Sequence, residues 1–178
     1  VNKTSTGDYS TFGIGATYDM NENLKLVVGF HQGMSPVFNG DAEEADNFEL
    51  GFRYNKGSTA LEVMYFSSDY ANLVAECKNS NGGDCDAGDT FDGGEVDVSG
   101  LEVDASWVVQ ADGVSFPIAL TFTSTDATFE NSFDSDYFGV VAAGDDLPYI
   151  PSSVLALSAG FITEDGWSGY LRMADHGS

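Results

Sequence analysis

The apolar side chains recur at every second residue rather than at the helical period, which is the signature of strands with two unlike faces. Phe12, Ile14, Ala16 and Tyr18 alternate with Thr11, Gly13, Gly15 and Thr17. Leu24, Leu26, Val28 and Phe30 follow, then Phe48, Leu50, Phe52 and Tyr54, then Leu61, Val63 and Tyr65. Further sets are Leu101 to Val109, Phe116 to Phe122, Leu155 to Phe161, and Trp167 with Gly169, Leu171 and Met173. The pattern predicts about eight strands and no amphipathic helix. Val96 and Val98 lie on the opposite phase from Leu101 and Val103. Either Gly100 marks a bulge that flips the phase, or the strand there rises clear of the surface that selects for alternation.

The connections carry as much information as the strands. Asp19–Asn23, Asn55–Ser58, Ala111–Val114 and Glu164–Gly166 are short and rich in turn formers. About Gly33–Asn47, Val74–Gly94 and Asn131–Ile150 are long, and short and long alternate strictly. In an antiparallel meander this puts every long loop at one end, as in an outer-membrane barrel with short periplasmic turns and long extracellular loops. Tyr18, Tyr54, Trp107, Phe116, Phe161 and Trp167 all stand near a short turn, where an interfacial aromatic girdle belongs. The other phase carries Glu62, Glu102, Asp104, Thr121, Thr123, Ser158 and Arg172. Such residues suit a wet lumen and would be costly in a dry core. No apolar run approaches the ~18 residues of a membrane-spanning helix, which leaves strand-based spanning open.

Charge narrows the choice of partners. The chain has 178 residues with 6 Lys+Arg against 29 Asp+Glu, a formal net charge of −23. That excludes nucleic acid, whose binding needs basic stripes, and attraction to an anionic membrane surface. At 42% hydrophobic and 13% aromatic the chain is too apolar for an acidic disordered tail. Of the 29 acids, 15 fall in the three long loops or directly beside them (Glu95 and Glu130), where Lys78 is the lone basic residue. A rim of that kind focuses cations and repels anions.

Candidate chemistry is sparse. No Gly-x-Ser-x-Gly elbow is present, and two separated histidines make neither a triad nor a metal cluster, so no catalytic residue, metal site or cofactor is expected. In the acidic stretch, Asp84, Asp86 and Glu95 fit the first, third and twelfth positions of an EF-hand loop, but Gly88 and Asp89 break the pattern at the fifth and sixth. The pairs Glu43/Glu44 and Asp145/Asp146 sit among loop formers that offer no shelter to split their pKa values. Cys77 and Cys85 flank Lys-Asn-Ser-Asn-Gly-Gly-Asp, a turn-rich segment that can close a disulfide in an oxidising compartment; the alternative is two free thiols in a loop.

Several segments resemble a known family. Gly29-Phe30-His31-Gln32-Gly33-Met34-Ser35-Pro36, Asn47-Phe48-Glu49-Leu50-Gly51-Phe52-Arg53-Tyr54 with its E-x-G-x-R pattern, and Phe66 to Val74 are similar to consecutive segments of TonB-dependent outer-membrane receptors. Gly93 to Glu102 resembles their G-x-E-x-x-G-x-E strand, and Leu147-Pro148-Tyr149-Ile150-Pro151 their P-x-x-P approach to a late strand. The Cys-containing acidic loop looks most like the ferric-dicitrate-type branch. The resemblance implies a barrel of about 22 strands with a plug in its lumen. It implies that residues 1–178 are a partial barrel domain, without the plug, the TonB box and the closing strand. The implied job is uptake of a ferric chelate across the outer membrane of a Gram-negative bacterium. Its partners would be the chelate, the lipid bilayer and, through the missing N-terminal region, the TonB system. His31, Gln32 and Arg53 are then the candidates to face the ligand vestibule. An anionic ferric citrate sits awkwardly with the acidic rim. Two other readings fit the pattern less well: a complete small eight-stranded outer-membrane barrel with a structural or adhesive role, and a secreted acidic β-sandwich binding sugar or calcium.

Overall fold

The computed structural model describes residues 10–36, 42–76, 90–92, 94–135 and 139–177. Every described element is a β-strand, and no helix occurs among them. The main sheet is an antiparallel meander of eight strands: β1 (Gly13–Asp19), β2 (Leu24–Ser35), β3 (Glu43–Lys56), β4 (Thr59–Ala71), β7 (Val96–Ala111), β8 (Val114–Phe129), β11 (Ser153–Thr163) and β12 (Ser168–His176). Each holds one of the apolar alternations. Four strands beyond the expected eight form two small ribbons inside the long connections. They are β5 (Val74–Glu76) with β6 (Thr90–Asp92), and β9 (Phe133–Ser135) with β10 (Gly139–Val141).

The register puts all eight alternations on one face. Tyr18, Leu26, Phe52, Val63, Val103, Phe122 and Leu155 pair directly in a line across seven strands. The face stays open to its surroundings: Leu50 is 42% exposed, Leu101 39% and Leu171 75%. An apolar face this large and uncovered belongs against lipid. The same line starts one residue above the end of β1 and reaches Asp175, seven residues past the start of β12 at Ser168. This stagger accompanies the strand tilt through which sheets curl into barrels.

Two alternatives are corrected here. β1 and β12 do not pair with each other, so the eight strands do not close into a small barrel. Among the described residues, no second large sheet covers the apolar face, as a sandwich would require.

The short turns follow local chemistry. At Asp112-Gly113 both residues have positive φ (48° and 76°), the requirement of a two-residue I′ hairpin whose twist matches the strands. At β1–β2, the Asn21 side chain accepts from the backbone N–H of Asn23 (2.9 Å) and Leu24 (3.1 Å), an Asx-type closure. All four short turns lie at one end of the meander, and the aromatic residues expected at the girdle stand on the lipid-facing phase within four residues of them. Trp167 is 73% exposed there.

The strands run further than the hydrophobic pattern. β7 and β8 have 16 residues each, roughly 50 Å of chain at ~3.3 Å per residue, well beyond the 9–11 residues that span a bilayer. The excess lies at the loop end, where the outward positions such as Asp97, Ser99, Asp126 and Thr128 are polar. Glu43, Glu44 and Asp46, read from sequence as loop residues, are therefore on β3. Val96 and Val98 are explained the same way. Pairing runs unbroken through Gly100, so no bulge is present. Both valines face the inner side, where the 130–150 connection folds back over them. Val96 (1% exposed), Phe129 (2%) and Val141 (5%) form a small core with Tyr70, Leu73 and Phe133. The rings of Phe129 and Phe133 meet edge to face at 5.4 Å.

Gly100 is fixed by crowding. A Cβ there would collide with the Ser124 carbonyl oxygen and come within 2.6 Å of the Phe66 ring. We expect Gly100→Ala to lose about 1–3 kcal/mol in urea unfolding of the intact, lipid-embedded receptor. Gly15→Ala, whose new methyl meets only Val28 O at 3.6 Å, should lose far less.

Candidate functional site

Opposite the lipid face, the inner face carries polar rows that run across the strands. The lowest row is Asp19, Lys25, Arg53, Glu62, Asp104 and Thr121, each paired with the next. Both of its cations are paired with a carboxylate, and the remaining acid, Asp104, accepts a hydrogen bond. Lys25 Nζ donates to Asp19 (2.7 Å), Arg53 donates to both oxygens of Glu62 (2.8 and 2.9 Å), and Thr121 Oγ1 donates to Asp104 (2.7 Å). The Arg53–Glu62 fork fixes the guanidinium geometrically, although exposure limits its contribution to at most ~1 kcal/mol.

Above that row lies a groove of about 400 Å³. Met64 packs over Gly51 and the Phe66 ring over Gly100, which together make an apolar floor. Glu49 lies beside Phe66 on β3, and Glu102 lies beside Met64 on β7. His31, Asn47 and Ser68 close the upper side. Asn47 Nδ2 donates to the His31 carbonyl (3.1 Å), and Ser68 Oγ donates to Asn47 Oδ1 (2.7 Å).

His31 and Arg53 therefore line one groove, while Gln32 does not. Gln32 follows His31 in an unbroken strand, so it points to the opposite face, where its Nε2 donates to Asp46 Oδ1 (2.9 Å). β2 continues to Ser35, so neither residue is at a strand end. Asn47, Glu49, Met64 and Phe66 were not singled out from sequence as site residues. Their parity with Arg53 and Glu62 was the available signal; the register that gathers them was not.

The outer face above the lipid band turns acidic. Asp46, Asp69 and Asp97 are direct cross-strand neighbours, and Glu95 accepts from Asn131 Nδ2 (2.8 Å) close by. Asp97 Oδ1 is enclosed without a hydrogen-bond partner. Repulsion from Asp69, with smaller contributions from burial, Asp97 and Glu95, raises the Glu130 carboxyl above its ordinary pKa. A raised folded-state pKa means that the protonated form favours the fold. Rim order should thus strengthen as pH falls through the raised Glu130 pKa towards the ordinary carboxylate range, and that gain is lost as pH rises through it. Proteolysis of the 130–150 connection should be slower near about pH 5 than near pH 7, and Glu130→Gln should flatten that difference.

Among the described residues, no group of three or more His, Cys, Asp or Glu side chains is arranged to hold a metal ion. Cys77, Cys85 and positions 84–89 of the acidic stretch lie outside the described residues, as do any consequences for the disulfide and EF-hand readings.

An open, staggered antiparallel sheet with one lipid-facing side, one polar side and all long connections at one end defines a section of an outer-membrane β-barrel wall. The chain belongs to the TonB dependent receptor-like, beta-barrel family, which it matches over residues 1–178. Members of this family are outer-membrane transporters of Gram-negative bacteria, not enzymes. Among solved structures the chain is similar to the FrpB iron transporter from Neisseria meningitidis (F3-3 variant), with a TM-score of 0.61 and 17% sequence identity. That match covers 90% of this chain and 26% of the transporter, so the chain spans about a quarter of its length. No curated protein matches the chain.

Proposed function

We propose that residues 1–178 form part of the barrel wall of a TonB-dependent receptor that takes up a ferric chelate. The reading rests on the separation of faces through all eight strands, which sets a lipid-compatible exterior against a polar interior wall. Family membership and the likeness to a named iron transporter support it. On this reading the plug, the TonB-contacting segment and the closing strand belong to the rest of the receptor. His31 and Arg53 face the ligand path in the inner groove, and Gln32 belongs to the outer rim. The ferric-dicitrate-type assignment leans on the Cys-containing loop, which lies outside the described residues.

The mechanism asked of this wall is binding and passage, with no covalent step. The paired charges of the lowest row keep that part of the wall rigid. The groove above it offers hydrogen-bonding groups beside an apolar floor, the usual make-up of a small-molecule site. In the full-length receptor, His31→Ala should weaken ferric-chelate binding by about tenfold, the effect of one lost well-placed polar contact, and Arg53→Ala, which releases the Glu62 carboxylate into the groove, should shift it by a similar factor. Gln32→Ala should leave it unchanged. Equal effects at all three positions, measured by titration of the purified receptor, would remove the inner groove from the ligand path.

A further inference from the structure

We propose that this wall selects a cationic or neutral chelate over an anionic one, with the ligand's positive group seated between Glu49 and Glu102 against the Phe66 ring. The inference rests on the receptor reading above and names the ligand class of the same groove.

The charge arrangement on the inner face carries it. Among the described residues, two of the three inner-face cations are already engaged: Lys25 by Asp19 and Arg53 by both oxygens of Glu62. The third, Arg172, lies on β12 over the Tyr170 ring at 5.0 Å, five strands from β3 in the sheet. Glu49 and Glu102 are exposed and form no ion pair among the described residues. The groove is lined by Arg53 against Glu49, Glu62 and Glu102, one cation against three carboxylates, so it keeps an excess of negative charge around an aromatic ring and a thioether. An aromatic face and flanking carboxylates favour a cation, and most strongly one whose remaining surface is apolar. Among the described residues, an anionic chelate in this groove would meet more carboxylates than cations, and the one guanidinium there is held by Glu62.

The path to the groove has the same sign. Lys25, Arg53 and Lys56 stand beside the short turns and Arg172 at the middle of β12, so no described basic residue lies in the loop-end half of the sheet. Asp46, Asp69, Asp97, Glu95 and Glu130 all do. Asp46, Asp69 and Asp97 face outward, so they act through the field of the rim rather than by lining the path, raising the concentration of cations and lowering that of anions near the loop end.

The test uses the full-length receptor, purified and folded in detergent. The probes are a cationic ferric trihydroxamate (ferrioxamine B) and the anionic ferric dicitrate complex, titrated by quenching of intrinsic fluorescence. The cationic probe should bind more tightly, and its affinity should fall as salt rises from about 0.05 to 0.5 M. Glu49→Gln and Glu102→Gln keep the side-chain shape. Each should weaken the cationic probe by roughly threefold, the Coulomb effect of one charge at about 6 Å in water, and leave the anionic probe unchanged or improved. Tighter binding of the anionic probe by the wild type, or an unaltered preference in the double variant, overturns the inference and leaves the receptor reading standing. Binding of neither probe overturns the ferric-chelate reading and the inference with it.

Discussion

Produced alone in plain aqueous buffer, this 178-residue chain will not yield a cooperatively melting monomer. The described residues bury only six apolar side chains below the surface: Ala42, Met64, Val96, Ala127, Phe129 and Val141. None belongs to the lipid-facing alternation. That face presents Ile14, Tyr18, Leu50, Leu101, Phe161 and Leu171 to whatever surrounds it. Among the described residues β1 and β12 each add an unpaired edge, with backbone donors and acceptors ready to pair with another chain. In water the face and the edges both drive association; in lipid the face is satisfied and only the edges remain. Size-exclusion chromatography with a thermal melt by circular dichroism makes the check. Aggregates in buffer, and strand-rich species held by detergent, are the expected result. A sharp melt from a monomeric peak without detergent would contradict the lipid-facing assignment.

The second large effect is a contrast between neighbours. Leu50 and Glu49 are adjacent in β3 but point to opposite faces. Leu50 pairs with Val28 and Tyr65 and lies in the same line as Leu101, midway up the apolar band. Leu50→Arg puts a charge into hydrocarbon and should cost about 2–4 kcal/mol in reversible urea unfolding of the full-length receptor in lipid vesicles. Glu49→Gln, on the wet face, should change stability by less than about 0.5 kcal/mol. Similar costs at the two positions would mean that the faces have been assigned the wrong way round.

The strands and their faces were legible because lipid selects residue by residue. Wherever the sheet crosses the apolar band, each outward position must be apolar, so Tyr18, Leu26, Phe52 and Val63 report their facing without knowledge of their partners. Above the band that pressure ends. This is why β3 runs back to Glu43 and β7 to Val96 although neither extension shows the alternation. The opposite phase of Val96 has the same origin. Its burial comes from Phe129 and Val141, more than thirty residues downstream, and local pattern cannot see a connection folding back.

The site was legible in part. Arg53 and His31 share a phase, which alternation alone allows one to count, and the same counting separates Gln32 from both. The groove depends on more than phase. Gly51 and Gly100 matter because Met64 and Phe66 lie across them from neighbouring strands. The Arg53–Glu62 fork exists because residues nine apart meet through a tight hairpin.

By itself, then, the sequence determined the strand class, the two faces, the end at which the long loops gather, and the acidity of the rim. Each of these is a property of single residues meeting a solvent, lipid on one side and water on the other. Only the tertiary structure decided which side chains share a row, which cations are already neutralised and which carboxylates are left free. Those are properties of register, and register is set by long-range pairing that no local stretch of chain encodes.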